Sequence, residues 1–464
     1  FEVRGTARVR RGQLHDPQLG PDHVELAYTG LDGIVRRTQM RFFPQPDALS
    51  GNHARFDLIL APGETRSVFL AIDCLGGEAA AVSRTSFFSA IREARRALRA
   101  SSSRATAIVT SNEIFNESIR RSVSDLYMLI TDTPEGPYPY AGVPWFSTVF
   151  GRDALITAFE TLWLDPAIAR GVLFHLAANQ AKAVDAAADA EPGKILHEVR
   201  YGEMAELGEV PFRRYYGSID STPLFVMLAG AYLERTGDVE AVRRLWPHIE
   251  AALGWIDRYG DRDGDGYVEY GRLTDKGLAN QGWKDSHDSV FHADGTLATG
   301  PIALCEVQAY VYGALRAAQA MAMQLGHADQ TARCAQRADA LRNAFNQDFF
   351  DPELGTYVLA LDGDKRACRV RSSNAGHALW TGIADTDQAA AVAGTLLSRS
   401  GFSGWGIRTI AAGESRYNPM SYHNGSVWPH DNALISAGLA GYGFKSAAAR
   451  ILDGLFAAST YIDL

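Results

Sequence analysis

The sequence predicts a mainly α-helical protein, an (α/α)6 barrel preceded by part of an antiparallel β-rich domain. Residues 1–75 alternate polar and apolar side chains over short runs, whereas the chain from about residue 110 carries apolar side chains at helical spacing. Glycines separate several of the predicted helices into pairs. We therefore divide the chain into a β-sandwich-like part, residues 1–80, a helical linker, residues 81–109, and a barrel domain, residues 110–464.

Three alternating runs predict the strands of the β-rich part, namely "HVELAYTG", "GIVRRTQMRFF" and "ARFDLILA". The stretches "TGLDG" and "APGE" supply turns, and "SVFLAIDC" is the last predicted strand. The Arg- and Ala-rich stretch "FFSAIREARRALRASSS" predicts the helical linker.

Eleven helices are predicted after the linker. The first, "TSNEIFNESIRRSVSDLYMLITD", carries its apolar residues on one face, and Thr110 with Glu113 is predicted to form its capping box. The other ten are predicted near residues 151–164, 166–182, 221–236, 239–259, 301–325, 328–348, 373–383, 386–399, 430–442 and 445–460.

Tight turns and long loops alternate between these helices. Several pairs meet at a glycine, as at Gly237, Gly326 and Gly443, where a left-handed residue would end one helix just before the next begins. The tight turns predict antiparallel hairpins whose long loops gather at one end. A closed ring of six hairpins needs twelve helices, so the count of eleven leads us to expect the last helix beyond Leu464.

Composition restricts the function classes. The 464 residues are 46% hydrophobic, and a net charge of −9 with both signs interspersed argues against nucleic-acid or anionic-membrane partners. No run of 18 apolar residues predicts a membrane span. Four cysteines without metal-binding spacing predict reduced thiols in a cytoplasmic protein, whereas a start at Phe1 is also compatible with a removed signal peptide. The oligomeric state stays open.

Four long loops combine aromatic with charged side chains, which core packing does not require. The first, "AGVPWFSTVFGRDALIT", ends at a helix start with Arg152 and Asp153 behind Trp145 and Phe150. An aspartate near a helix N-terminus is ordinary first-turn chemistry. An Arg–Asp pair behind an aromatic wall also suits a sugar, because rings cover its C–H face while the charged pair bonds to vicinal hydroxyls.

Two further loops add candidate ligand residues. The second, "GKILHEVRYGEM…PFRRYYGSIDSTPLF", places Tyr216 and Asp220 at the mouth of the next helix. Asp220 is also a good N-cap, a role that would explain it without a ligand. The fourth loop, residues 402–435, crowds Trp405, His423 and Trp428 ahead of another helix start.

The third loop contains the candidate catalytic acid. In "NQGWKDSHDS", Asp285 follows Trp283 and Lys284, and a carboxyl held against an indole is desolvated, so its pKa rises and it stays protonated. Asp288 is the local competitor, and Lys284 would lower the pKa of the acid if its ammonium pointed inward. The preceding "DRDGDG" resembles the start of a calcium loop, but position 12 would be Arg272, so we interpret it as an Asp/Gly turn.

Neither a metal nor an organic cofactor is predicted. The histidines include no HExxH or other close pair, and His423 and His430 are separated by a proline. Gly-rich phosphate loops and a GxSxG nucleophile elbow are also missing from the sequence.

These loops, in this order, resemble the bacterial glycogen debranching enzyme (amylo-α-1,6-glucosidase-like) family of (α/α)6-barrel glycoside hydrolases. The matching stretches are "PWFSTVFGRDALIT", "DAEPGKILHE", "YYGSIDSTPLF", "DGDGYVEY", "QGWKDS", "EVQAYVY", "FSGWGIRT" and "YHNGSVWPHDNALI". The resemblance covers roughly residues 1–464, and the N-terminal strands are similar to the tail of that family's β-rich domain. It implies an inverting, exo-acting glycosidase that releases glucose from α-glucans or α-glucosides without a cofactor.

The resemblance also implies roles for single residues. The family's general acid lies between the fifth and sixth helices, where Asp285 falls, and its general base between the eleventh and twelfth, which we expect beyond Leu464. Arg152 and Asp153 match the pair that grips the sugar at the cleavage subsite. Further positions match the lining of the same pocket, namely Trp145, Tyr216, Asp220, Glu306, Gln308, Trp405 and His423, and the loops themselves add Phe150, Trp283, Lys284 and Trp428.

Other interpretations stay open at this point. Glu306 is equally consistent with a buried partner for an arginine, and a base inside the chain would make Glu306 or Glu203 the first suspects. A trehalase-like or other α-glucosidase would keep the barrel. Phosphorolysis would need an anion pocket around Arg408 and Lys284, an epimerase would use histidines such as His377, and a carbohydrate-binding module would keep the pocket without the chemistry.

Overall fold

The computed structural model describes the chain over residues 1–2, 5–76 and 87–461. It is mainly helical, with an antiparallel sheet ahead of the long helices, so the predicted fold class is confirmed. No helix in this described part is long and apolar enough to cross a membrane. All four cysteines are free thiols.

The chain forms two compact units. Their bounds are Phe1–Ser103 with Tyr201–Arg213 for the first unit, and Arg104–Arg200 with Arg214–Leu464 for the second. The segment 201–213, which the sequence assigns to the barrel domain, thus folds with the first unit. Arg8 connects it to that unit through ion pairs to Glu203 at 2.8 Å and to Glu209 at 2.7 Å.

An antiparallel sheet forms the first unit. Its strands are β1 Gln13–Leu14, β2 Gln18–Leu19, β3 His23–Thr29, β4 Val35–Phe43 and β7 Phe69–Gly76, and β5 Ala48–Leu49 pairs separately with β6 Ala54–Arg55. The order is β1-β3-β4-β7 with β2 beside β3, and the register pairs His23 with Arg41 and Phe43 with Phe69. Strands β3, β4 and β7 confirm three of the predicted runs.

The run "ARFDLILA" forms less strand than predicted. Only Ala54–Arg55 pairs with another strand, and the apolar residues that follow lie in irregular backbone with Ile59 93% exposed. Strand propensity alone does not order a segment that has no neighbouring strand to pair with. The predicted linker helix is present as α1, Phe87–Ser102, while the first residues of the linker lie outside the described part of the chain.

Eleven long helices build the second unit within its described residues. They are α2 Glu113–Leu129, α3 Gly151–Glu160, α4 Pro166–Ala178, α6 Ser221–Thr236, α7 Val239–Trp255, α8 Cys305–Leu325, α9 Ala328–Asp348, α10 Asn374–Thr381, α11 Thr386–Leu396, α12 Pro429–Gly441 and α13 Lys445–Tyr461. Each corresponds to a predicted helix. The short helix α5, Glu203–Glu206, lies in the first unit and was not predicted.

These helices form two layers. The inner helices contact one another in the order α3, α6, α8, α10, α12, and α12 also contacts α3. The remaining helices pack outside them, and α9 shows the expected single buried stripe of Cys334, Ala338, Leu341 and Phe345. Helices α6 and α8 are buried on most of their surface, as befits an inner layer.

Helix ends follow the prediction at the glycines but not at the first helix. Gly237, Gly326 and Gly443 have φ of 69°, 82° and 83°, which confirms the left-handed ends. The predicted capping box of α2 is wrong, because Asn112 is the N-cap and accepts a hydrogen bond from Phe115 N at 3.1 Å. Thr110 instead bonds to Asn116 Oδ1 at 2.9 Å.

Small β ladders connect the helices. Helix α2 ends at Leu129 because the chain turns into a hairpin, and further ladders and a π-helical turn shape the loops between inner and outer helices. These elements are β8 Ile130–Thr133 with β9 Gly136–Pro139, β10 Ala303–Leu304 with β13 Ala360–Leu361, β11 Phe350–Asp351 with β12 Thr356–Tyr357, and the π-helix Ile256–Gly260.

Candidate active site

The inner helices begin with polar residues. Arg152 and Asp153 lie in the first turn of α3, Glu306 in that of α8 and Asp431 in that of α12, while Asp220 directly precedes α6. Carboxylates at helix N-termini are stabilised by the unpaired N–H groups and the helix dipole. The N-termini of these inner helices therefore concentrate charged side chains at one end of the inner helical layer.

Arg152 joins two of the predicted loops. Its Nη1 donates to Asp220 Oδ1 at 3.2 Å and its Nη2 donates to Asp285 Oδ2 at 3.2 Å, although the residue is only 6% exposed. Asp220 occupies the N-cap position of α6 without a side-chain capping bond, and Ser218 Oγ donates to it at 2.6 Å. The capping role considered for the Asp220 side chain is therefore wrong, and its carboxylate instead accepts hydrogen bonds from Arg152.

The loop around Asp285 is held in place on several sides. Asn280 Nδ2 donates to Ser286 O at 2.7 Å, and Ser289 Oγ donates to the Lys284 carbonyl. Ser286 Oγ lies 2.8 Å from His423 Nδ1, which connects this loop to the fourth one. With its neighbours fixed, the Asp285 side chain has a defined direction into the pocket.

The carboxyl of Asp285 is in an environment that favours its neutral form. Burial raises the pKa of Asp285, Arg152 opposes this, and the carboxylates of Asp153 and Asp220 reinforce it, with a net raised pKa. The side chain still keeps 31% of its exposure because it faces the pocket. An accessible acid with a raised pKa is suited to proton donation.

Lys284 points away from Asp285. Its Nζ donates to the Thr409 carbonyl at 2.7 Å, and it is 3% exposed. Burial lowers the pKa of Lys284 to about 8, and the charges of Asp431 and Glu306 partly oppose that shift. The structure therefore does not bring this predicted substrate-binding residue into the pocket, and its charge does not act on the acid.

Aromatic rings surround the pocket face of Trp283. Its ring lies edge-on to His430 at 4.9 Å, to His423 at 5.7 Å and to Trp428 at 5.9 Å. On its other face Trp283 stacks on His377 at 6.2 Å. Burial lowers the pKa of His423 to about 3 and that of His430 to about 4, so both imidazoles are neutral at physiological pH.

A pocket of about 270 Å³ opens in front of Asp285. Seven predicted site residues line it, namely Phe150, Arg152, Asp153, Trp283, Asp285, His423 and Trp428. Phe146, Tyr422 and His430, from the first and fourth aromatic loops, also line it, as do Tyr140 and Glu160, which the sequence did not indicate. Asp153 is exposed toward the pocket, and surrounding protein nevertheless raises the pKa of its carboxyl.

Several predicted residues lie outside the lining of this pocket. The side-chain amide of Gln308 is hydrogen-bonded to backbone groups. Its Nε2 donates to the Val268 and Leu304 carbonyls, and its Oε1 accepts from Val268 N. Tyr216 donates to the Asn179 carbonyl at 2.8 Å, and Trp405 packs against Tyr461 at 5.3 Å.

Glu306 is buried and does not line the pocket. It forms no ion pair with any described arginine, and Cys305 Sγ contacts its Oε2. The interpretation of Glu306 as a buried arginine partner is therefore wrong, and burial raises the pKa of its carboxyl.

Arg200 and Glu198 were missed by the sequence reasoning. The Arg200 guanidinium lies 4.8 Å from the Trp145 ring and 5.3 Å from the Phe150 ring, and Nη1 donates to the Trp145 carbonyl at 2.5 Å. Its Nε donates to Glu198 Oε1 at 3.3 Å. Burial raises the pKa of Glu198 to about 7, and Asp285 and Asp153 add to that shift. Both residues lie in the "HEVR" run inside the second predicted loop, which is the sequence signal for them.

The "DRDGDG" stretch forms the predicted Asp/Gly turn. Asp261 accepts hydrogen bonds from Gly264 N at 2.8 Å and Gly266 N at 3.0 Å. The ammonium of Lys365 lies 2.9 Å from Asp263 and 2.6 Å from Asp265. A side-chain cation therefore pairs with two of the three carboxylates of this turn.

Comparison with known proteins identifies the family. Residues 147–462 match the mannosylglycerate hydrolase MGH1-like glycoside hydrolase domain, and residues 1–71 match the N-terminal domain of (some) glycogen debranching enzymes. The chain belongs to the MGH1-like glycoside hydrolase family. The predicted relationship to glycoside hydrolases and debranching enzymes is thereby confirmed at this level. No curated protein matches the chain.

Solved structures of low sequence identity share the fold. The GH63 mannosylglycerate hydrolase from Thermus thermophilus, in complex with glucose, has a TM-score of 0.56 at 17% identity over 74% of this chain and 91% of its own. The same hydrolase with Tris and D-glycerate has a TM-score of 0.55 at 14% identity over 75% and 92%. A sialidase structure has a TM-score of 0.56 at 13% identity over 95% of this chain and 43% of its own.

Proposed function

We propose that this glycoside hydrolase is an inverting, exo-acting α-glucosidase that releases glucose from α-glucans or α-glucosides, with Asp285 as its general acid. The observation that carries the proposal is the environment of Asp285. Its carboxyl faces a pocket that the Trp283 ring also lines, and it receives a hydrogen bond from Arg152 Nη2 at 3.2 Å. A glycosidase acid has to be protonated before the reaction and stabilised as a carboxylate afterwards.

Arg152 fits the second half of that requirement. When the Asp285 proton moves to the glycosidic oxygen, the bond between that oxygen and the anomeric carbon breaks and the leaving group departs as an alcohol. The carboxylate left behind keeps its charge-assisted contact with the guanidinium. Asp220 holds the opposite edge of the same guanidinium, so the donor needs no reorganisation during the step.

The remaining pocket residues are assigned to the sugar. Asp153 faces the pocket from the first turn of α3 and offers acceptor oxygens to hydroxyl groups, while Phe150, Trp283 and Trp428 offer ring surfaces to its C–H faces. Binding energy from these contacts would favour ring distortion toward the oxocarbenium-like state. A pocket walled on several sides favours the end of a glycan over its middle.

Inversion also needs a carboxylate base on the other face of the sugar, about 6.5–9.5 Å from the acid. Glu203 is a poor base, because hydrogen bonds from Arg8, Tyr28 and Leu31 N, with Arg8 the largest influence, lower its pKa to about 2. Glu306 is buried and does not line the pocket. We therefore propose neither as the base, and the assignment rests on the acid.

The test is proton NMR of the anomeric signals released from short α-glucosides, with α-1,6, α-1,4 and α,α-1,1 linkages compared. We expect β-glucose to appear first, and the fastest linkage names the substrate. Appearance of α-glucose first would refute inversion. Sugar binding without any hydrolysis would favour the carbohydrate-binding alternative over the enzyme, and glucose 1-phosphate made only with phosphate would favour phosphorolysis.

A further inference from the structure

Carboxyl groups outnumber cationic side chains on the wall of the pocket. Among the described residues that line it, Asp153, Glu160 and Asp285 are acidic, and Arg152 is the cation. Two further carboxyls lie close to these lining residues. Asp220 pairs with Arg152, and Glu198 is close enough to Asp285 for their charges to interact. A ligand in this pocket therefore meets more acceptor oxygens than cationic donors.

Arg152 has little capacity left for a ligand anion. Its Nη1 donates to both oxygens of Asp220, at 3.2 and 3.3 Å, and its Nη2 donates to Asp285. Arg152 is 6% exposed, and its guanidinium lies between these carboxylates. An incoming carboxylate would have to displace one of them.

Nearby cations are also committed elsewhere. Arg200 donates to Glu198 and to the Trp145 carbonyl, and its face is covered by the Trp145 and Phe150 rings. Lys284 donates to the Thr409 carbonyl on the far side of its loop. The lining imidazoles of His423 and His430 are uncharged near pH 7, because burial keeps their pKa values low.

We propose that this pocket selects glycosides with an uncharged leaving group and rejects leaving groups that carry a carboxylate. The inference rests on the proposed hydrolase function and specifies its substrate class. A carboxylate buried without a cationic partner, beside other carboxyls, loses its hydration without compensation. The contrast is with the solved hydrolase of the same fold that binds D-glycerate, an anion.

A matched pair of substrates tests the selection. α-Glucosylglycerol and α-glucosylglycerate differ only in a CH₂OH group against a carboxylate. The corresponding α-mannosides repeat the comparison with mannose in place of glucose. We expect kcat/KM to be at least about 100-fold higher for the glycerol compound of a pair, which corresponds to roughly 2.7 kcal/mol. Equal rates, or a preference for the glycerate compound, would overturn the proposal.

A charge variant checks that the pocket wall sets the preference. Thr157 lines the pocket on the same face of α3 as Asp153 and Glu160, so Thr157→Lys adds a cation where the wall lacks one. We expect it to reduce the preference at least about 10-fold, since an added partner offsets the desolvated carboxylate. Asn343→Lys, at an exposed position of α9, adds the same charge elsewhere and should leave the ratio unchanged.

The failure of this inference is distinguishable from failure of the hydrolase assignment. If the wild-type chain cleaves none of the four compounds, calorimetric titration with the same pairs decides the charge selection. Tighter binding of the glycerol compounds would support it, and equal binding or tighter glycerate binding would overturn it. If Thr157→Lys loses its far-ultraviolet circular dichroism, the wild-type ratio alone decides.

Discussion

At Asp285, a desolvating pocket and a neighbouring guanidinium act on one carboxyl in opposite directions. Burial raises its pKa, Arg152 lowers it, and Asp153 and Asp220 shift the balance toward the protonated acid. The same Arg152 receives the charge after proton transfer. Arg152 thus contacts Asp285 both before and after proton transfer. Its second bond, to Asp220 in another loop, holds the guanidinium in place for that contact.

Asp285→Asn should abolish glycoside hydrolysis, with kcat reduced at least about 1000-fold. An amide cannot donate the proton that the leaving oxygen needs, while its shape keeps the Arg152 neighbourhood filled. The measurement is steady-state hydrolysis of the best α-glucoside, with circular dichroism to confirm the fold.

Asp288→Asn is the matched control for that experiment. The Asp288 carboxylate accepts a hydrogen bond from Asn424 Nδ2 at 3.2 Å and does not line the pocket. We expect its kcat within about 10-fold of wild type. An equal loss in both variants, or normal turnover in Asp285→Asn, would contradict the assignment of the acid.

Single side chains also show what motif reasoning could not determine. Lys284 and Gln308 were predicted to bind substrate, yet Lys284 donates to the Thr409 carbonyl and Gln308 to the Val268 and Leu304 carbonyls. The sequence places Lys284 next to Asp285, and Gln308 in a stretch that matches the family motif "EVQAYVY". The direction of each side chain depends on backbone groups that are distant in sequence, such as Thr409, so spacing alone cannot reveal it.

Between elements, the inner helices depend on close backbone approach. Gly438 of α12 faces α10, where a Cβ would come within 2.7 Å of Leu379 C and 2.9 Å of Leu379 Cβ. Gly394 of α11 is also inside a helix, but a Cβ there would meet nothing within 4 Å. Alanine substitution at Gly438 therefore tests both helix packing and helix propensity, whereas alanine substitution at Gly394 tests helix propensity alone.

Gly438→Ala should destabilise the protein by roughly 1–3 kcal/mol, because overpacking forces α10 and α12 apart. Gly394→Ala should be neutral or stabilising by up to about 1 kcal/mol, since alanine is the better helix former. Urea unfolding of both variants measures the difference. A Gly438→Ala variant as stable as Gly394→Ala would show that the contact between α10 and α12 can relax without cost.

Element boundaries were predictable where local chemistry decides them. Gly237, Gly326 and Gly443 end their helices as expected, since a left-handed residue there needs no tertiary partner. The start of α2 was not predictable in this way. Thr110 bonds to Asn116, and Asn112 takes the capping position. Two polar residues that compete for one helix start cannot be ranked from the local sequence.

Across the whole molecule, stability should respond to pH in opposite ways in the two units. In the first unit, Arg8 and its neighbours lower the pKa of Glu203 to about 2, so its contribution is present above pH 4.5 and is lost as the pH falls toward 2. In the second unit, burial raises the pKa of Glu160 to about 8. The folded state holds that proton more tightly, so this contribution is lost as the pH rises from 4.5 through 8.

Glu160→Gln should therefore flatten the alkaline side of the stability profile. We expect the wild type to lose roughly 1–3 kcal/mol more than the variant between pH 5 and pH 9, measured by urea unfolding. Glu250→Gln, at an exposed position of α7, is the control and should follow the wild type. Parallel profiles for Glu160→Gln and the wild type would show that Glu160 ionises without penalty.

The sequence by itself determined the class of fold and the loops that form the pocket. Helical periodicity and left-handed glycines are local signals, and Arg152, Asp153, Trp283 and Asp285 lie in the loops that the motifs selected. Only the tertiary structure decided which side chains reach the pocket and with what charge. Glu160 lines the pocket and Glu198 lies behind it, and burial raises the pKa of both, whereas Lys284 donates to the distant Thr409 carbonyl. Desolvation and hydrogen-bond partners depend on contacts between segments far apart in the chain, so the sequence alone cannot reveal them.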